Sequence, residues 1–471
     1  MDLDDFNRSD NSAIHSYQTR EFWAQDFNNG RFYTLTADLL AEGVYCNVWG
    51  ERGNNTGNVN SIVARRVAST YDLEIYPKMN NVFGIDIDIY YEDNIVARNT
   101  MEFANWLVNG DGKLQILLLD IRDNYRTSGN NTYVAGYFWY GNFFDRSFSN
   151  RSAMIYIDTN PGNPGTVNSN ATLAHEFQHL MNFVTSILLR VRDNTIYQMD
   201  TWIDEGLSSA AEWVIEAPSD MHWRWYNTDP SGLIQRGNNF FVWDNHGGNP
   251  LSIMDDYATV YLFFQWLRLQ AGSTSIYRNI ITSSDYDYRA VTSAANAAMR
   301  GLDYDNWGTL LKTWLAANYI NAPSGPYGYM NDPILRNIQA TTAPSGITSL
   351  SLFPGEGVYS LTNNFTLPRN TVDIHYAGLN RRSPALSDTT TFSNGALLTF
   401  NVNPNIQGGP VSGTTTGVAA SVDMLSRQRA LGDTLSGPFP ISAGDMLRLN
   451  GQEEGSRLNL TVPRRVFTNN D

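Results

Sequence analysis

TLAHEFQHLMNF, residues 172–183, sets two of the chain's six histidines four positions apart, with a glutamate directly after the first. Stepping 100° per residue along a helix over 173–187 puts His175, His179, Asn182 and Ser186 on one stripe. Leu173, Phe177, Leu180 and Val184 fall on the opposite stripe, so the stretch predicts an amphipathic helix. Two imidazoles one turn apart on a single face can reach the same metal ion. Glu176 points to the flank of that stripe, where it can hold a water without ligating the metal. A polar stripe that simply faces solvent is the competing reading.

A site for catalysis wants three protein ligands and one open position, so the pair needs a partner. It is not the next histidine: a direct extension would require glycine at position 182 and histidine at 185, where the chain has Asn182 and Thr185. Downstream lies TWIDEGLSSAAEWVIE, residues 201–216. The same wheel gathers Trp202, Glu205, Ser209, Glu212 and Glu216 on one face, with Ile203, Leu207, Ala210 and Val214 on the other. Packed against the first helix, this one brings Glu205 to the histidine pair. Glu212, two turns on, is then placed to orient an imidazole N–H from behind.

HEFQH followed by WIDEGLSSAAE resembles the paired HExxH and WLNEG motifs of the glutamate-zincins. HEFQHLMNF with EGLSSAAEW is similar to the hyicolysin-type secreted bacterial neutral metalloproteases. The similarity extends through YDLEIYPKMNNVFG, NGDGKLQILLLDI, VAGYFW and DYATVYLFFQWL, roughly residues 30 to 320. The resemblance implies zinc ligands at His175, His179 and Glu205, and a general base at Glu176. It also implies an oxyanion donor downstream of the glutamate ligand, for which Tyr257 and Tyr261 qualify, Tyr257 being preferred. Two departures stand out. The interval from His179 to Glu205 holds 25 residues, more than in thermolysin-like members, so an additional loop over 188–200 is expected. Ser209 also occupies the position four after the glutamate ligand, where those enzymes carry an aspartate.

The rest of the chain frames this pair of helices. Its 471 residues are too many for one ordinary core, and 42% hydrophobic with 17% charged residues describes a folding chain with a large interior. A formal charge of −15 disfavours nucleic acid or an anionic membrane as partner. No apolar run of 18 residues is present, so no transmembrane segment is expected. Nor does the N-terminus read as a signal peptide. Export to the outside or the cell surface follows only from the resemblance. Cys46 is the one cysteine, in the apolar run GVYCNVWG, and reads as a buried structural thiol.

RFYTLTADLL, GIDIDIYY, KLQILLLDI and AMIYIDT read as strand-like runs, and VARRVASTYDLEIYPKM reads as helix. From 170 to about 320 the apolar spacing is helical. Pro, Gly and Ser clusters mark a linker over 321–346, beyond which short alternating stretches lack Trp and Lys. The expected fold is α+β: a zincin-like unit with a β-rich N-terminal lobe and a helical C-terminal lobe, then a small all-β sandwich. The expected boundaries are an N-terminal extension over 1–30, the metallopeptidase over 31–320, the linker over 321–346 and the sandwich over 347–471.

The function expected is zinc-dependent endoproteolysis of protein or peptide substrates. An aminopeptidase is the nearest alternative, although TMEF at 100–103 is only a fragment of the GxMEN motif that grips a free amine. A surface adhesin built on a peptidase scaffold is the alternative from another class. NGDGK at 109–113 offers oxygen ligands of the kind Ca2+ takes, but a plain loop before a strand explains it better. His15, His222, His246 and His375 stand outside the constellation.

Overall fold

The computed structural model describes residues 18–84, 113–123, 125, 132–144, 146–192, 195–215, 220–237, 240–245, 251–344, 349–362, 365–381, 386–387, 391–392, 395–414, 439–442 and 457–459. IDIDIYY at 85–91, TMEF at 100–103, NGDG at 109–112, His15, Glu216 and His246 lie outside them.

A seven-stranded sheet carries the first half. Its strands are β1 (Thr19–Asp26), β2 (Arg31–Glu42), β3 (Cys46–Glu51), β4 (Leu114–Leu119), β5 (Thr132–Phe138), β6 (Met154–Asp158) and β17 (Phe439–Ser442). They lie in the order β1-β2-β3-β4-β6-β5-β17. β1, β2 and β3 form an antiparallel meander, β3, β4 and β6 run parallel, and β5 returns antiparallel to β6. Strand period sorts the side chains: Leu114, Ile116, Leu118, Ile155 and Ile157 join one core, while Leu117, Leu119, Met154 and Tyr156 join a second. Both faces of the central strands are therefore buried, which explains why KLQILLLDI reads as an unbroken apolar run.

On the first face lie α1 (Ser61–Thr70) and α2 (Tyr76–Phe83), continuous through one π-helical turn. The Asn60 side chain caps α1 by accepting from the N–H groups of Ile62 and Val63. The long helix α3 (Val167–Leu189) crosses the same face, capped by Thr166. The helical half then follows with α4 (Thr201–Val214), α5 (Asp220–Thr228), α6 (Ser252–Ala271), α7 (Ser275–Ile281), α8 (Tyr288–Ala298) and α9 (Trp307–Ile320). Mixed α and β structure matches the expected class.

Residues 19–26 pair with β2 as the edge strand of the sheet, with Phe22 and Ala24 buried. Residues 321–344 are packed: Asn321 closes α9 in the left-handed conformation, its amide donates to the carbonyls of Leu335 and Ile338, and Tyr329, Leu335 and Ile338 are buried. The segment is largely irregular chain that buried aromatic and aliphatic anchors hold down.

Beyond it, β10 (Gly357–Thr362), β15 (Gly395–Asn401), β12 (Ile374–Leu379) and β13 (Leu386–Ser387) form an antiparallel sheet, beside the pairs β9 (Ser349–Leu352) with β16 (Val411–Thr414) and β11 (Phe365–Thr366) with β14 (Thr391–Phe392). Tyr359, Leu379, Leu398 and Phe400 share the core of the helical half, and the Tyr359 hydroxyl donates to the Leu315 carbonyl at 2.7 Å. β17 pairs with β5, and β18 (Arg457–Asn459) pairs with β8 (Thr195–Tyr197).

Candidate metal centre

The helix predicted from TLAHEFQHLMNF forms, but its polar stripe does not meet solvent. Leu173 to Leu180 and Asn182 to Leu188 are all buried, His175 and His179 at 6% and 9% exposure. A buried imidazole pair needs partners, since unpaired polar groups in an interior are costly. α4 supplies them.

Glu205 Oε2 lies 3.2 Å from His175 Nε2 and 3.5 Å from His179 Nε2. Ligands around a four-coordinate zinc, at bonds of about 2.0–2.1 Å, are spaced roughly 3.3 Å apart. His175, His179 and Glu205 each offer one ligand atom, all within 4.8 Å of one another. The donor set and its spacing fit such an ion.

Behind each imidazole stands a carboxylate. His175 Nδ1 donates to Glu212 Oε1 at 2.9 Å. His179 Nδ1 is shared between Asp204 Oδ2 at 3.0 Å and Ser208 Oγ at 3.1 Å, while the Ser208 hydroxyl donates to Gln178 Oε1 at 2.7 Å. These bonds hold a proton on Nδ1 of each ring and turn both Nε2 atoms toward Glu205. Ser209 is buried, and its hydroxyl has no partner among the described residues. The helix therefore supplies its rear carboxylate one turn later than in the thermolysin-like pattern, from Glu212.

Electrostatics follow the same map. Burial alone would lower the His175 imidazolium, but the bonds to Glu205 and Glu212 outweigh it and push it up to about 10. Burial alone would raise Glu212, yet its bond to His175 and the nearby ring of His222 bring it down to about 2. Glu205 likewise stays well below the carboxylate range, because the two imidazoles outweigh its burial. Glu176 behaves otherwise. It is 2% exposed, and burial raises its carboxyl against the opposing pull of His179 and His175. A carboxyl held above its usual range is suited to taking and returning a proton.

The additional loop over 188–200 is a small hairpin of β7 (Val191–Arg192) and β8, and it is anchored from inside. Arg190 is fully buried; its guanidinium donates to Asn182 Oδ1, Ser186 Oγ and the carbonyls of Ile281 and Ser283. Asn182 in turn donates to Asp204 Oδ1 at 2.5 Å. The lower half of the histidine stripe thus joins this loop to the carboxylate behind His179.

The two tyrosines separate. The Tyr257 ring lies 6.1 Å from that of His175, whereas Tyr261, a turn further along α6, stacks on His222 at 4.7 Å. Asp204, Ser208 and His222 are the neighbours that sequence reasoning missed. Asp204 and Ser208 are four apart, flanking Glu205 on its own helix, so a wheel drawn for polar residues beside the ligand would have found them. His222 had no such signal, because it lies on another helix.

The chain is 28% identical over 360 residues to the neutral metalloprotease ShpI of Staphylococcus hyicus, a match covering 72% of this chain and 73% of that protein. The resemblance to a hyicolysin-type neutral metalloprotease holds. No protein-family model matches the chain. Among the described residues no helix is long and apolar enough to cross a membrane.

Proposed function

We propose that this chain is a secreted zinc metalloendopeptidase, with His175, His179 and Glu205 as the metal ligands and Glu176 as the general base. The observation that most supports it is the convergence of three buried ligand atoms whose imidazoles are each held from behind by a carboxylate, with Glu176 beside them. When bound, the zinc supplies Lewis-acid polarisation of the scissile carbonyl and acidifies the attacking water. Glu176 takes the proton of that water and hands it to the leaving amine. Glu212 and Asp204 keep the imidazoles in the tautomer that presents Nε2. Tyr257, the tyrosine nearer His175, donates to the oxyanion that develops on the carbonyl. The peptidase unit occupies 31–320, with the strand Thr19–Asp26 added to its sheet, between a β-rich lobe and a helical lobe. The strands beyond 347 are read as the small β-sandwich. The Ca2+ reading of NGDGK falls on residues 109–112, which lie outside the described residues.

The test is to measure bound zinc and cleavage of a casein-type substrate in the wild type and in Glu176→Gln. The expectation is about one zinc per chain in both, with activity lower by roughly 10²–10⁴-fold in the variant. A wild type that holds no zinc and cleaves no unfolded protein ends this reading.

A further inference from the structure

Glu212 reaches His175 with one oxygen only. Its second oxygen, Oε2, faces the ring of His222, whose Nε2 stands 3.5 Å away. His222 is 3% exposed, and neither ring nitrogen has a closer hydrogen-bonding partner among the described residues. A buried imidazole with unmet polar atoms calls for an explanation. Packing does not provide one, because the ring lies flat on Tyr261, with centroids 4.7 Å and planes 22° apart, a contact that phenylalanine would make as well.

The ring's position is set by the fold. α5 is locked to the start of α6 by Asp255, which accepts from Trp225 Nε1 and from Ser231 Oγ, both at 2.6 Å. His222 sits one turn before Trp225 on that helix and is thereby delivered to the back of Glu212. A carboxylate with one oxygen bonded can still swing about its last torsion; with both oxygens engaged it cannot. The order along the line is His222, Glu212, His175, with Glu205 on the far side of His175.

We propose that His222 is a positioning residue which fixes the second oxygen of Glu212 and, through it, the orientation of the His175 ring at the metal. The proposal rests on the metal-centre reading above. It assigns to α5, which contributes none of the proposed ligands, a part in retaining the ion. Partners at this remove from a metal commonly change its retention by 10–100-fold.

The experiment measures the rate at which the zinc-loaded full chain surrenders zinc to excess chromophoric chelator. His222→Phe keeps the stack on Tyr261 and loses the nitrogens; His222→Gln keeps an N–H donor. H222F is expected to release zinc about tenfold faster than the wild type, and H222Q within roughly threefold of it. In a Glu212→Gln background H222F is expected to add nothing, since its effect runs through that carboxylate. The unfolding midpoint of the zinc-free chain monitors packing in every variant, and His222→Leu stands in should the phenylalanine variant not fold. Release from H222F at the wild-type rate overturns the proposal, as does an H222F effect of full size in the Glu212→Gln background. A wild type that takes up no zinc ends the metal-centre reading and this proposal together.

Discussion

Gly206→Ala sets two physical effects of opposite sign against each other. Gly206 follows the proposed ligand Glu205 inside α4, and in an isolated helix alanine is more favourable than glycine by about 1 kcal/mol. In the fold, a Cβ at this position would lie 2.2, 2.4 and 2.7 Å from three carbons of the Phe264 ring. That ring is fully buried among Trp202, Phe263 and Tyr277, so it has no empty side to turn to. α4 and α6 must part by roughly 1 Å before ordinary contact distance is regained. Overpacking of this kind costs about 1–3 kcal/mol, which meets or exceeds the propensity gain. The displaced segment also carries Glu205, whose 3.2 and 3.5 Å spacings to the imidazoles leave no such tolerance. The expected result is a lower denaturant midpoint for the zinc-free chain, weaker zinc retention and a loss of activity on the order of 10²-fold. Adding Phe264→Leu should recover part of all three. A Gly206→Ala chain as stable as its parent, with unchanged zinc retention, would show that the helix contact is not tight and refute the reasoning.

Arg190→Met removes four hydrogen bonds from a site with no access to water and leaves the carbonyls of Ile281 and Ser283 without those donors. Equilibrium unfolding should report a loss of about 3–5 kcal/mol, and a loss under about 1 kcal/mol would mean the anchor is dispensable. Asp200 predicts a pH dependence: burial, reinforced by the charge of Asp287, raises its carboxyl from 3.8 to about 7. The folded chain then holds this proton more tightly than the unfolded one. The stabilisation is complete below about pH 4 and is lost as the pH rises through 7. Unfolding midpoints between pH 4 and 8 should fall more steeply in the wild type than in Asp200→Asn, and parallel curves would refute the assignment.

The two helices of the site could be read from the sequence because helical period is local: His175 with His179, and Glu205 with Glu212, share faces by spacing alone. The strands Arg31–Glu42, Leu114–Leu119 and Met154–Asp158 were legible for the same reason. Where each stripe faces was not. Nothing in TLAHEFQHLMNF says that its polar side is buried, since that depends on α4 arriving with carboxylates to satisfy it. The choice of Glu212 over the position of Ser209 follows from how the two helices cross. β1 and the 321–344 segment are held by contacts remote in sequence, which no local pattern reports.

By itself, then, the sequence determined the chemistry on offer: the imidazoles of His175 and His179 and the carboxylates of Glu176 and Glu205, at spacings that local backbone geometry converts into faces. Only the tertiary structure decided which partners stand behind them. Asp204 and Ser208 ride on the helix of Glu205, but His222 comes to the site, and Gly206 is confined there, through packing between helices. Those contacts depend on side-chain shapes tens of residues apart and leave no periodic trace in the chain.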